Sequence, residues 1–101
     1  MYETEVLAMQ KKIAEIMKRS VKDPNTTLNQ LMEVRKEAEN LLTTEKLEYW
    51  GIAAMVYEAA GDVWKKFGKV VDAEKAYKEM LKFSDKMYQS DKTKYDYRQG
   101  L

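Results

Sequence analysis

The chain contains no cysteine and no histidine, and it has only one proline and four glycines among its 101 residues. Without cysteine it forms neither a disulfide framework nor a thiolate metal site. Without histidine it lacks the commonest general base near neutral pH and the commonest metal ligand. We therefore predict that the protein is not an enzyme and that it uses no metal or cofactor.

Net charge and long apolar runs are also missing. Eighteen basic residues oppose seventeen acidic ones, which leaves a formal charge of +1. Such a balance provides no strong attraction to nucleic acid or to an anionic membrane. No apolar run approaches the roughly 18 residues of a membrane span, and the acidic start at residues 1–5 does not resemble a secretory signal. We expect no membrane partner and a cytoplasmic location, and we rank a nucleic-acid partner below a protein partner.

The residues that are abundant favour helices. Alanine, leucine, methionine, glutamate, lysine and glutamine are all good helix formers, and no stretch shows the alternation typical of a strand. We predict an all-α fold, a four-helix array of two antiparallel helical hairpins within a single domain at 1–88. Apolar residues recurring at steps of three and four predict helices at about 3–21, 28–42, 45–67 and 69–88, followed by a polar C-terminal tail at 89–101.

Local signals set the predicted helix boundaries. Pro24 breaks the chain after the first helix, and Thr27 with Gln30 forms a capping box for the second. Gly68 follows the third helix as a terminating glycine. Gly51 lies inside the third helix, where it marks either a bend or a close approach. The predicted inward-facing residues are Val6, Leu7, Met9, Ile13, Ala14, Ile16, Met17, Leu28, Leu31, Met32, Val34, Ala38, Leu41, Leu42, Leu47, Trp50, Ala53, Ala54, Tyr57, Ala60, Gly61, Trp64, Phe67, Val70, Ala73, Ala76, Tyr77, Met80, Leu81, Phe83 and Met87.

A motif of small and aromatic residues spans residues 54–87. It comprises Tyr57, the pair Ala60-Gly61, Trp64, Gly68 at the turn, and Ala73 followed four residues later by Tyr77. This segment resembles one tetratricopeptide repeat, a 34-residue helix–turn–helix unit. Met80 replaces the family's second alanine and Asp85 its closing proline, and the first half of the chain does not repeat the pattern. The resemblance implies that the last two helices cross closely at Gly61 and Ala73, with Trp64 and Tyr77 filling the space beside the crossing.

The resemblance also implies a binding surface. Tetratricopeptide repeats usually bind peptides or helices on the concave face formed by the first helix of each unit. Acids stand where the family's clamp for chaperone tails has lysine and asparagine, which argues against that ligand and leaves a basic segment or an amphipathic helix. Trp50 is added as a candidate interface aromatic because it lies beside Gly51. The predicted partner-binding residues are Met55, Glu58, Ala59, Asp62, Lys65, Lys66 and Trp50.

Three functions remain open at this point. The first is a protein-protein interaction module, an adaptor, chaperone or assembly subunit. The second is a structural helical bundle or homodimer in which the apolar stripes are all buried and no separate ligand binds. In that case the charged residues are solvated, with Asp62 paired to Lys65 and Lys66 along the helix. The third, ranked below both, is a nucleic-acid accessory protein that uses the basic and aromatic residues of the tail. Those tail residues are Lys92, Lys94, Tyr95, Tyr97 and Arg98.

Overall fold

Four helices form the protein in its computed structural model, which describes residues 3–19 and 23–99, with side chains described through residue 90. They are α1 (Glu3–Lys18), α2 (Pro24–Leu41), α3 (Lys46–Lys66) and α4 (Val70–Gln99). No strand occurs in the described residues. The predicted all-α, four-helix architecture is therefore confirmed.

Helix α2 begins at Pro24, four residues earlier than predicted. Asp23 is its cap: the Asp23 carboxylate accepts hydrogen bonds from the Asn25 amide at 3.1 Å and from the Thr26 hydroxyl at 2.9 Å. Pro24 occupies the first helical turn, where its missing amide proton costs nothing and its fixed φ suits the helix. The predicted capping box is wrong because Thr27 is already inside the helix, and it is buried.

Helix α3 ends at Lys66, two residues before Gly68, the predicted terminating glycine. This glycine has a φ of +74°, and its amide donates to the Lys65 carbonyl at 3.0 Å while the Lys69 amide donates to the Trp64 carbonyl at 2.9 Å. That pair of bonds is the Schellman pattern, which requires a left-handed residue. The helix also continues without a break through Gly51.

Helix α4 is longer than predicted. Its backbone remains helical to Gln99, so the segment predicted as a separate tail continues the last helix. The side chains of the predicted nucleic-acid residues lie outside the described part, as do residues 100 and 101. The end of α1 predicted at residue 21 also falls outside the described residues.

The core lies where α1, α2 and α3 meet. Met9, Ile13 and Ile16 of α1 are buried against Leu31 and Val34 of α2, so the main predicted stripes are correct. Five residues predicted to face inward are instead exposed, because they flank those stripes rather than lie on them. They are Leu7, Ala14, Leu41, Val70 and Leu81.

Helix α3 is the central element. It contacts α1, α2 and α4, whereas α4 has no Cα atom within 8 Å of α1 or α2 in the described residues. The array is therefore open and is not a closed four-helix bundle. The most buried face of α3, which carries Ile52, Val56, Ala59 and Val63, differs from the predicted seam. A helix packed on three sides is apolar almost all round, so its pattern does not single out the deepest face.

Candidate functional site

An open groove runs between α1 and α4 above one face of α3. Because no described Cα atom of α1 lies within 8 Å of one in α4, the face of α3 between them has no helix over it. We call this surface the α1–α4 groove. At its widest it encloses about 430 Å³, lined by Val6, Gln10, Leu47, Glu48, Gly51, Ile52, Met55 and Met87.

Exposed apolar side chains collect around this groove. Met55 lies on the floor of the groove. Leu7 is three residues before the groove residue Gln10, so Leu7 and Gln10 are neighbours on one side of α1. Val70, Leu81 and Tyr88 follow one another at 11 and 7 residues, so they share one side of α4. These five are among the seven large hydrophobic side chains that the described residues expose.

That side of α4 is the one next to the exposed face of α3. Tyr77 lies seven residues after Val70 and four before Leu81, and its hydroxyl donates a hydrogen bond to the Asp62 carboxylate at 2.6 Å. Asp62 is exposed on α3, seven residues after Met55 and therefore on the same face. From the two flanking helices, the described side chains that line the groove are Val6 and Gln10 on α1 and Met87 on α4. Leu7 on α1 and Leu81 and Tyr88 on α4 are exposed on the same helices.

Two carboxylates lie beside the Tyr77 hydroxyl at one end of the groove. The hydrogen bond to Asp62 raises the pKa of Tyr77 to about 12, helped by burial and by the negative charges of Asp62 and Glu58. A phenol that donates to a carboxylate must lose that bond when it ionises, which is why its pKa rises. Asp62 therefore links α3 to α4, and it forms no salt bridge with Lys65 or Lys66 in the described residues.

The predicted partner-binding residues fall into two groups. Met55, Glu58 and Asp62 lie on the exposed face of α3, with Lys65 and Lys66 exposed in its last turn. The prediction is wrong for Ala59, which is 6% exposed and belongs to the core. A residue one position after Glu58 is rotated by about 100°, and that rotation turns Ala59 towards the core.

Trp50 lies away from the groove. It is half-buried, and the Lys86 ammonium stands 5.8 Å from its ring centroid. Trp50 is seven residues before Tyr57 and shares its side of α3. Tyr57 lines a second, smaller depression between α2 and α4, of about 280 Å³. Trp50 therefore does not face the α1–α4 groove, and its role as an interface aromatic stays a prediction.

Tyr57 of the second depression belongs to an aromatic cluster. The Phe83 ring stacks on Tyr57, with centroids 5.8 Å apart, and meets Tyr49 edge-on at 6.0 Å. The Arg35 guanidinium donates to the Tyr49 hydroxyl and to the Glu39 carboxylate, each at 3.2 Å. The hydrogen bond to Tyr49 raises the pKa of Arg35, and burial raises the pKa of Tyr57. These contacts tie α2, α3 and α4 together, which is a structural role.

Most of the groove walls do not follow from the sequence pattern. That pattern places Leu7, Leu81 and Met87 in the core, and it assigns Gln10 and Glu48 to no site. Each helix carries its own apolar stripe, but only the packing of α1 and α4 on different sides of α3 leaves these residues facing a common space.

The described residues offer little for other kinds of site. They contain no group of three or more aspartate or glutamate residues placed to hold a metal ion. No helix among them is long and apolar enough to cross a membrane. Compared with known proteins, the chain matches no family model, no curated sequence and no solved structure.

Proposed function

We propose that the protein is a protein-protein interaction module, an adaptor, chaperone or assembly subunit, that binds a peptide or helix in the α1–α4 groove. The observation that carries the proposal is an open groove with a mostly apolar lining. Met55 is exposed on its floor, and Leu7, Leu81 and Tyr88 are exposed on the two helices that flank it. Contiguous exposed apolar surface in a groove is typical of protein or ligand binding, whereas isolated exposed apolar residues are ordinary.

The packing of the helices supports the proposal. We further propose that α3 and α4 are one tetratricopeptide-like repeat, stacked on the α1–α2 hairpin. Contact of α3 with both helices of the preceding hairpin is the arrangement that stacked helical hairpins use. The contact between Gly61 and Tyr77 also agrees with the close crossing that the resemblance implies. The same proposal places the protein in the cytoplasm, where a chain without cysteine needs no oxidising environment.

Peptide display tests this function even though the partner is unidentified. Peptides selected on the immobilised protein would be synthesised. Fluorescence anisotropy would then give their Kd values for the parent protein and for the variants Leu7→Ser, Met55→Ser and Leu41→Ser. Leu7 and Leu41 are matched because they are 57% and 46% exposed, but Leu41 is on α2, outside the groove. We expect about fivefold weaker binding for the two groove variants, the size of a modest interface contact.

Folding of the variants is the first control. All three should keep the helicity and melting temperature of the parent, because exposed substitutions rarely change stability by more than about 0.5 kcal/mol. Leu41→Ser should bind as the parent does. Equal binding by all three variants, or no selectable peptide at all, would contradict the proposal.

A further inference from the structure

The floor of the α1–α4 groove is acidic. Glu48 lines the groove, and Glu58 and Asp62 continue the exposed face of α3. These carboxylates cover about 21 Å along the helix, at 1.5 Å per residue. No lysine or arginine is exposed on this face before the last turn of α3, although the whole chain carries a formal charge of +1. The negative charge is therefore a local property of the groove.

Two of these carboxylates are available to a partner. Asp62 is engaged by the Tyr77 hydroxyl at 2.6 Å. Glu48 and Glu58 have no ion pair or hydrogen bond within the described part of the chain. Their burial in a complex therefore requires opposite charges from outside, since unpaired charges are costly to remove from water.

The length of the exposed α3 face suits a helical partner. Glu48, Met55, Glu58 and Asp62 follow one another on this face, and the 14 residues from Glu48 to Asp62 correspond to nearly four helical turns at about 3.6 residues per turn. In the described residues α1 and α4 have no Cα atoms within 8 Å of each other across it. A partner segment that follows this face needs a comparable length, which an amphipathic helix of about four turns has.

We infer, on the basis of the proposed function, that the partner is a basic amphipathic helix. Its apolar stripe packs against Leu7 and Met55 and against Leu81 and Tyr88 on α4. Its lysine or arginine side chains flank that stripe and pair with Glu48 and Glu58. Apolar contact supplies most of the affinity, and the acidic floor of the groove favours a partner with positive charge.

Designed peptides test this inference. Three 18-residue peptides would be titrated into the full chain: an amphipathic lysine–leucine helix, its glutamate–leucine counterpart, and a lysine–leucine sequence scrambled to abolish the stripe. Anisotropy gives each Kd, and methionine methyl NMR locates the contact. We expect only the first peptide to bind well and to shift the methyl signals of Met55 and Met87. Met9, buried in the core, and Met32, in the other depression, should not move.

Charge reversal supplies the decisive comparison. The double variant Glu48→Lys/Glu58→Lys should bind the lysine–leucine peptide about tenfold more weakly, because two ion pairs become repulsions. It should also gain affinity for the glutamate–leucine peptide. The matched control Glu15→Lys/Glu33→Lys changes two acids that line the depression between α1 and α2, and it should leave both affinities unchanged. Circular dichroism checks that every variant is folded.

Each other outcome overturns the inference in a different way. Equal binding of both amphipathic peptides at Met55 and Met87 would remove the charge preference but leave the proposed function standing. Failure of both peptides, together with failure of the display selection, would contradict the inference and the function together. Methyl shifts of Met55 and Met87 that grow with protein concentration alone would show that a second copy occupies the groove.

Discussion

The two glycines inside α3, Gly51 and Gly61, differ in how closely α4 packs against them. At Gly61 the Tyr77 ring of α4 lies directly against the backbone, and a Cβ atom placed there would overlap the ring. At Gly51 a Cβ atom would stand 3.6 Å from the Met87 methyl group, an ordinary van der Waals contact. One glycine is required by the crossing of two helices, whereas the other lines a groove that has space to spare.

This difference separates the part of α3 that packs tightly against α4 from the part that lines the groove we propose as a binding site. Near Gly61 the last two helices approach closely, and a hydrogen bond from Tyr77 to Asp62 links them beside the crossing. Near Gly51 the wall of the groove is the flexible side chain of Met87. A methionine adapts its shape at little cost, so this end suits a partner whose surface varies. Substitutions at the two ends should therefore have opposite effects.

The largest expected effect is at the crossing. Gly61→Ala should lower the free energy of unfolding by about 1–3 kcal/mol, because the added methyl group forces the Tyr77 ring out of place. Urea unfolding followed by circular dichroism measures the change. In a Tyr77→Ala background the same substitution should be neutral or stabilising, since alanine is the better helix former. An unchanged stability for Gly61→Ala alone would mean that α3 and α4 do not cross at this residue.

A smaller effect is expected from the hydrogen bond beside the crossing. Tyr77→Phe should cost about 1 kcal/mol, which is below the usual range for hydrogen bonds to charged groups because the pair is partly exposed to water. The pKa of Tyr77 is raised from 10 to about 12 in the folded protein. The stabilisation is therefore complete below pH 10 and is lost as the pH rises towards 12.

The pH dependence is measured as a difference. The unfolding free energies of the parent and of Tyr77→Phe would be compared from pH 8 to pH 12. Their difference removes the contribution of the lysines, because both proteins contain the same ones. We expect the gap between the two proteins to close as the pH approaches 12. A constant gap over that range would show that the hydroxyl is not the group responsible.

The smallest effect concerns the other glycine and has the opposite sign. Gly51→Ala should raise the free energy of unfolding by up to about 1 kcal/mol, since the helix interior gains a better helix former and the methyl group meets only Met87. Thermal unfolding would show a higher melting temperature. A lower melting temperature would indicate that the groove has no room for a methyl group at Gly51, and it would weaken the comparison between the two glycines.

Much of the crossing could be predicted from the sequence, but the groove could not. Gly61 and Tyr77 follow a helix–turn–helix pattern in which small and large residues face each other, so their contact is implied by spacing along the chain. Gly68 likewise ends α3 through local backbone geometry. The groove depends on which side of α3 each neighbouring helix takes. Leu7 and Leu81 look like core residues within their own helices, and only the absence of a helix above them makes them surface.

The start of α2 shows a second limit. Two capping signals compete within five residues, Asp23 before Pro24 and Thr27 before Gln30, and both are chemically sound. The earlier one prevails because Pro24 is well suited to the first turn. The additional turn then buries Thr27. Local rules define the possible boundaries, whereas burial in the finished fold decides between them.

The most direct test of the open groove is peroxide oxidation of the methionines in the isolated chain, followed by mass spectrometry over a series of protein concentrations. Oxidation rates follow exposure, and Met55 is 36% exposed while Met9 is 1% exposed. We predict that Met55 oxidises several times faster than Met9 and that its rate does not depend on protein concentration. A rate for Met55 as low as that of Met9, or one that falls as the concentration rises, would show that the groove is already covered and would contradict the account.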